Sequence, residues 1–472
     1  MSSTVTLPLW LFLLILLFAG VTFASHFLFP SVRWYLRRRL ETAVARLNER
    51  LDRPIQPFKL ARRMDTVRRL IYDPEVAQAI AEYARAKNIR EDVAFQTAER
   101  YAREIVPGFS AFTYFSFAIR AARLLSQSLY RVRLVQDNAH ALAAIPENAT
   151  VVFVMNHRSN MDYVLVTWLV AERSALAYAV GEWARVWPLR TLVRAMGGYF
   201  IRRRYNNALY RKVLARYVQM ATEAGVTQAV FPEGGLSRTG ALGPPKLGLI
   251  SYILDGFRPG VSRDVVFVPV ALNYDRVMED RRLIAAQDGG TGAFRFSMVP
   301  IFRYLRRHIW LRLTRRFHRY GYAAVCFGDP LSLSEFLSRD HGDAAQALGA
   351  DLMARIAGVM PVTPVPLVAH ALMAGAATRP ALDAAVRTRI AAARAREATI
   401  HIPRDDAAYT IEAGLRALQE RGLLAIGQDG SLTLSADGRR VAAYYAASVA
   451  HLLDEAGHAS VPPLAHRTAA AT

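Results

Sequence analysis

From about Leu134 onward, short runs of β-branched and apolar residues alternate with helical stretches, and no other feature restricts the fold as much. Val151–Met155 is continuously apolar, and Tyr199–Ile201, Gln228–Phe231, Val265–Val270 and Tyr322–Phe327 read as further short, mainly apolar strands. Helical periodicity fills the gaps, for example over 207–224 and 247–254. Strands that are apolar on both faces and separated by helices predict an α/β layered domain with a largely parallel sheet. In such sheets chemistry collects in the loops beyond the strand ends. The polar motifs of this chain sit in those loops.

Ahead of this domain the chain reads differently. Residues 2–31 contain no Asp, Glu, Lys or Arg, and Leu7–Phe29 is almost wholly apolar. About 20 helical residues suffice to cross a bilayer. Arg33, Arg37, Arg38 and Arg39 follow at once, which predicts an uncleaved single anchor with its C-terminal side in the cytoplasm. A cleaved signal peptide needs a positive n-region that is missing here. The expected organisation is a transmembrane anchor over 1–31, a basic helical membrane-proximal region over 32–133, the α/β domain over 134–335 and a helical region over 336–472.

Within 31–70 there are twelve Lys and Arg against four Asp and Glu, as in a segment lying on anionic headgroups or in a solvated basic helix. The charge-free run Val106–Ile119 holds Phe109, Phe112, Tyr114, Phe115 and Phe117. It is too short to span a bilayer, which leaves shallow insertion or a buried core helix. Near the end, Gln428-Asp429-Gly430 between Ala425-Ile426 and Leu432–Leu434 predicts a hairpin, and with its flanking helices a small winged-helix-like unit. Over all 472 residues, 60 Lys and Arg oppose 39 Asp and Glu, a formal charge of +21. Such an excess attracts polyanions, whether nucleic acid, an anionic lipid surface or acidic substrates and carriers. The single cysteine, Cys326, excludes an intrachain disulfide and a cysteine-only metal cluster.

Four motifs carry the chemistry. Asn156-His157-Arg158-Ser159-Asn160-Met161-Asp162 follows the first apolar strand. Five positions separate His157 from Asp162, so on one continuous helix they would point apart. With His157 in the turn and Asp162 in the first helical turn they meet. The carboxylate then fixes the imidazole tautomer and leaves the other nitrogen free to take a proton. The same string also reads as a capped helix start, with Asp162 favoured by the helix dipole. Gly197–Arg204 brings Arg202, Arg203 and Arg204 to a strand end, either for a phosphate or as a solvated edge. In Phe231–Gly240, Gly234 and Gly235 turn amides toward an anion, Glu233 orients neighbours or a hydroxyl, and Arg238 suits phosphate. Lys246 opens the next helix, and the spacing is not that of a Walker loop. In Val268–Tyr274, Pro269 interrupts the ladder and predicts an edge or ligand-facing position.

The strings HRSNMD, GGYFIRR, FPEGGLSRTG and VPVALNY, in this order, resemble the four blocks of the glycerolipid acyltransferase family. They are most similar to the PlsB-type glycerol-3-phosphate acyltransferases, over about residues 140–335 and more loosely beyond Pro361. The resemblance implies transfer of a fatty acyl group, in phospholipid biosynthesis, from acyl-CoA or acyl carrier protein to a hydroxyl of glycerol 3-phosphate. The alternative acceptor is 1-acylglycerol 3-phosphate. It makes His157 the general base, Asp162 its orienting partner, and Arg202, Arg203 and Arg238 the phosphate ligands. Glu233 and Gly234 shape the acceptor pocket with Gly235 and Ser237 in the same block, and Pro269 lies beside the acyl channel. It implies no metal and no redox cofactor. Leu236 stands where the family carries an arginine of its phosphate block, which leaves the acceptor open.

A reading of another class is a non-catalytic, membrane-associated lipid-binding protein. It draws on Ile301–Tyr320, with seven arginines, no acidic residue, and Phe302, Trp310 and Phe317 interspersed, as in an interfacial helix. The expected partners are the acyl donor, the glycerophosphate acceptor and an anionic membrane surface, with no nucleic acid. The expected place is the inner membrane, with the α/β domain on the cytoplasmic side.

Overall fold

The computed structural model describes residues 8–171, 173–181, 185, 186, 189–202, 207–288 and 319–454, and over 21–37 and at 40 and 41 the backbone alone. The chain divides into two units, Met1–Pro54 and Ile55–Thr472. In the first, a helix of 40 residues, Leu9–Asn48, runs on through the basic cluster that follows the apolar stretch. Leu9, Trp10 and Phe18 are 74%, 66% and 72% exposed. The transmembrane anchor expected over 1–31 is not supported: among the described residues no helix is long and apolar enough to cross a membrane. The remainder of that expectation lies outside the described residues.

The second unit is built on an eight-stranded sheet. Its strands are β1 (Arg131–Gln136), β2 (Thr150–Met155), β3 (Ala177–Gly181), β4 (Gly198–Ile201), β5 (Gln228–Val230), β6 (Val265–Tyr274), β7 (Tyr322–Phe327) and β8 (Leu331–Ser332). They lie in the order β1-β7-β6-β2-β5-β3-β4, with β8 also on β6. β2 to β6 are mutually parallel, whereas β7 and β8 run against β6. The expected α/β layering with a largely parallel sheet is therefore what forms.

Every residue of β2, β6 and β7 is buried. Successive strand residues point to opposite faces, so both faces of the sheet's centre are covered, which is why these strands read as unbroken apolar runs. Two strands escape that signal. β1, Arg-Val-Arg-Leu-Val-Gln, is an edge strand whose residues are all at least partly exposed. β3, Ala-Tyr-Ala-Val-Gly, is buried but poor in β-branched residues.

Pro269, expected at a sheet edge or facing a ligand, lies instead in the interior strand β6, opposite Val154. Its carbonyl accepts from the Gly328 amide at 2.8 Å, so its backbone faces the turn between β7 and β8. There β6 changes partner, from β8 at Val266-Phe267 to β7 at Val270–Tyr274. The missing N–H falls where the ladder is already interrupted, so the proline is tolerated.

A π-helical turn, Thr113–Ala118, leads into the helix Ile119–Leu129. Tyr114 and Ala118 join the core, whereas Phe112 and Phe117 are 70% and 59% exposed. The expected hairpin forms from β9 (Leu424–Ile426) and β10 (Leu432–Leu434), with Gly430 at φ +77° in its turn. Helices Ala407–Gln419 and Ala436–Ala447 flank it and pack on Pro364–Met373. Of the arginine-rich segment Ile301–Tyr320, residues 301–318 lie outside those described.

Candidate active site

The parallel arrangement brings the C-terminal ends of β2 to β6 to one sheet edge. β6 has ten residues against six in β2 and runs on past it. Asn156 closes the gap: its Oδ1 accepts from the Leu272 amide at 2.8 Å and its Nδ2 donates to the Leu272 carbonyl at 2.9 Å. The chain then turns through His157 and enters the helix Met161–Leu169, with Asp162 in its first turn.

His157 Nδ1 lies 2.9 Å from Asp162 Oδ2. The same oxygen accepts the backbone N–H groups of Arg158 at 2.7 Å and Ser159 at 3.0 Å. The other, Oδ1, accepts the Tyr274 phenol at 2.6 Å from the overhanging end of β6. Four donors thus hold one carboxylate, and His157 and Asp162 are only 3% and 0% exposed. An ionised carboxylate only accepts, so Nδ1 carries the proton and Nε2 presents its lone pair. Nε2 has no partner among the described residues. Burial, and then the Asp162 charge, hold the Tyr274 phenol well above its ordinary range, so it remains a donor.

Rings and carboxylates fix the loop around this pair. The Phe231 ring lies 4.2 Å from the imidazole, centre to centre, and Tyr163 meets it edge-on at 5.3 Å. Glu233 does not touch the imidazole. Its Oε1 accepts the His157 backbone N–H at 2.8 Å and its Oε2 the Gly243 N–H at 3.0 Å. Burial pushes the Glu233 carboxyl up, opposed by those two bonds and by the charges of Arg158 and His157. Glu279 grips the other side of the turn, accepting from Ser159 Oγ at 2.8 Å and Asn160 Nδ2 at 3.0 Å. Burial raises its carboxyl as well.

Gly234 sits at φ +66°, and a Cβ there would stand 2.7 Å from Lys246 Cδ. Gly235 follows in the same turn, partly exposed. Ser237 stitches the loop together: its amide donates to the His157 carbonyl at 2.9 Å and its hydroxyl to the Ala241 carbonyl at 2.7 Å. Leu236, between them, packs partly buried on the hydrophobic core.

The expected phosphate ligands fare differently. Arg238 is exposed, with no ion pair among the described residues. Arg202 follows β4, three strands from β2 in the sheet order, or roughly 14 Å at ordinary strand spacing. Its Nε and Nη2 donate to the two Glu104 oxygens at 2.8 and 2.7 Å, and Arg185 pairs with the same carboxylate. Burial would raise the Glu104 carboxyl, but both arginines outweigh it and pull it down. The structure thus engages Arg202 internally. Arg203 lies outside the described residues. Pro269 sits one layer below the site, in the ladder.

Three residues of this environment have roles that the sequence does not announce: Glu279, and Tyr274 and Arg158, which stand inside the VPVALNY and HRSNMD strings without a role of their own there. Each acts across a long stretch of chain, and Arg158 stands inside a quoted motif with a side chain that points away from its neighbours' chemistry, onto Gly240.

The C-terminal edge of the parallel sheet thus holds a buried His–Asp pair beside a Glu-Gly-Gly turn. Residues 137–273 match the acyltransferase family, and residues 310–461 match the glycerol-3-phosphate acyltransferase C-terminal region. A curated glycerol-3-phosphate acyltransferase from Pseudoalteromonas atlantica is 31% identical over 279 residues, 58% of this chain and 33% of that protein. Another, from Aeromonas hydrophila, is 30% identical over 352 residues, 70% of this chain and 42% of that protein. The match therefore spans less than half the length of these relatives. A solved 1-acyl-sn-glycerophosphate acyltransferase from Thermotoga maritima aligns with 51% of this chain and 75% of its own at 19% identity. The TM-score of that alignment is 0.31.

Proposed function

We propose that the chain is a glycerol-3-phosphate O-acyltransferase in phospholipid biosynthesis, with His157 as its general base. The observation that carries this reading is the saturated Asp162 carboxylate, which leaves His157 Nε2 as the free end of a fixed imidazole. Nε2 takes the proton of the acceptor hydroxyl as that oxygen bonds to the carbonyl carbon of an acyl thioester. Asp162 stabilises the imidazolium that results. The carbon–sulfur bond then breaks, and the thiolate leaves with the proton from Nε2.

The donor is acyl-CoA or acyl carrier protein, both acidic, in keeping with the chain's formal charge of +21. Arg238, with Arg203 and the Gly234-Gly235 turn, meets the acceptor phosphate; Glu233 holds that turn against His157. The site works at the cytoplasmic face of an inner membrane. The support for this is the row of exposed apolar side chains at the start of the N-terminal helix and the arginines behind it.

The test is incubation of the full-length protein with labelled acyl-CoA and one acceptor at a time. Label in the acylated product of glycerol 3-phosphate, lost in His157→Ala, is the expected result. Transfer only to 1-acylglycerol 3-phosphate would move the acceptor one step along. That alternative has one observation behind it, an apolar Leu236 in the Glu233–Gly240 loop, packed partly buried against the hydrophobic core. Transfer to neither, with membrane lipids unchanged by His157→Ala in cells, would leave a lipid-binding protein.

A further inference from the structure

Arg158, beside His157, is 2% exposed and has no carboxylate partner among the described residues. Its Nη1 donates to the Gly240 carbonyl, while Nε and Nη2 are sealed without acceptors. A guanidinium does not shed its charge, and burying one with two open donors is costly unless another group faces it. The facing group is Tyr444, on the C-terminal helix Ala436–Ala447, with its ring centre 5.1 Å from the guanidinium carbon. Desolvation strengthens such a cation–π contact.

Two routes lead from Tyr444 to the His157–Asp162 pair. Along the first, Arg158 carries the backbone N–H that donates to Asp162 Oδ2 at 2.7 Å. Along the second, the Tyr444 phenol donates to the Ser237 carbonyl at 3.4 Å, and the Ser237 amide donates to the His157 carbonyl at 2.9 Å. Between the routes stands Gly240, at φ +88°, where a Cβ would overlap the Tyr444 carbonyl. The loop therefore lies directly on the helix backbone. The next residue, Tyr445, ties the same helix to the segment bearing Glu279: its phenol donates to Asp280 Oδ2 at 2.7 Å and accepts from the Val277 amide at 2.9 Å.

We propose that Tyr444 is a positioning residue for the His157 loop, acting through Arg158 and Ser237, so that the C-terminal region completes the active site. The proposal rests on the acyltransferase reading above for its kinetic consequence, but not for its structural one. A displacement of about 1 Å in a reacting group costs up to about 100-fold in rate. The phenol bond is long and weak, so the ring carries most of the effect.

The experiment compares full-length wild type with Tyr444→Phe, which keeps the ring, and Tyr444→Leu, which removes it. Two quantities are read: kcat with the KM of each substrate, and the rate of diethyl pyrocarbonate labelling of His157 by mass spectrometry. Tyr444→Leu is expected to lower kcat about 10- to 100-fold, with KM values nearly unchanged, and to speed labelling of the otherwise buried His157. Tyr444→Phe is expected to restore most of both. Unchanged kcat and labelling in Tyr444→Leu would overturn the proposal, as would an equal loss in Tyr444→Phe. Should Tyr444→Leu not fold, Arg158→Lys keeps the charge but loses the fork, and wild-type behaviour there would overturn it too. A wild type that transfers no acyl group refutes the acyltransferase reading, while the labelling rates still decide whether Tyr444 holds the loop.

Discussion

Asp162 receives four hydrogen bonds, and they are not equal in consequence. Two come from the backbone of its own loop and place the carboxylate, one comes from the imidazole, and one comes from Tyr274 across 112 positions of sequence. Asp162→Asn removes the charge and puts an amide nitrogen in place of one oxygen: at Oδ2 it would face the imidazole and two backbone donors, at Oδ1 the Tyr274 hydroxyl. The expected result is a fall in kcat of about 10²–10⁴-fold with little change in acceptor KM. Tyr274→Phe removes a single donor to a charged acceptor, worth roughly 1.5 kcal/mol, and kcat should drop about tenfold. Steady-state rates at saturating donor measure both, and a Tyr274→Phe enzyme as slow as Asp162→Asn would refute this ranking. At this scale the sequence was legible where chemistry lies within one string. His157 and Asp162 are such a case, since a turn and a helix start bring them together. It was silent where the partner comes from elsewhere: the Tyr274 phenol looked like the end of an apolar strand, and Arg202 looked like a phosphate ligand because Glu104 is 98 positions away.

The helix Met161–Leu169 carries Asp162 in its first turn, so its start sets the geometry of the pair. Ser159 and Asn160 have the composition of helix caps, yet the side chain of Asn160, at the N-cap position, makes no capping bond. The Met161 amide donates instead to Ser159 Oγ at 3.2 Å, and Glu279, from the segment after β6, clamps the turn by accepting from Ser159 Oγ and Asn160 Nδ2. Without it, buried donors at the helix start lose their acceptor. Glu279→Ala is therefore expected to lower unfolding free energy by about 1–3 kcal/mol, read as a shift in denaturant midpoint, with Glu279→Gln milder. Equal stability of Glu279→Ala and wild type would mean that water replaces the carboxylate at no cost. Strand existence was legible for the same reason that this clamp was not. Burial on both faces writes itself into consecutive residues, as in β2 and β6, whereas a carboxylate that clamps the turn from 120 positions away leaves no local pattern. Pro269 shows the intermediate case: a proline correctly marks a gap in a ladder, but the gap is internal, where β6 exchanges β8 for β7.

At the scale of the molecule, the sheet and the C-terminal helices are joined at Asp275, directly after β6. It accepts the Tyr322 amide of β7 at 2.8 Å and the Val365 amide, at the start of Pro364–Met373, at 2.9 Å. Burial raises its carboxyl to about 6, although both amides and Thr363 pull the other way. The folded protein therefore binds this proton more tightly than the unfolded chain, whose aspartates titrate near 4. It follows that the Asp275 contribution to stability is complete below about pH 4 and is lost as pH rises through about 6. Two units amount to roughly 3 kcal/mol. His401 runs in the opposite direction: burial, then the Arg133 charge, lower its imidazole to about 4. Its contribution is complete above about 6.5 and is lost as pH falls through about 4. The two windows overlap, so the wild-type profile alone masks each of them. Asp275→Asn removes one. The stability gap between wild type and Asp275→Asn, from urea unfolding at pH 4, 5, 6 and 7, should be largest at pH 4 and shrink by roughly 3 kcal/mol by pH 7. A gap that stays constant across this range would show that the carboxyl joining the two regions titrates as it does in the unfolded chain.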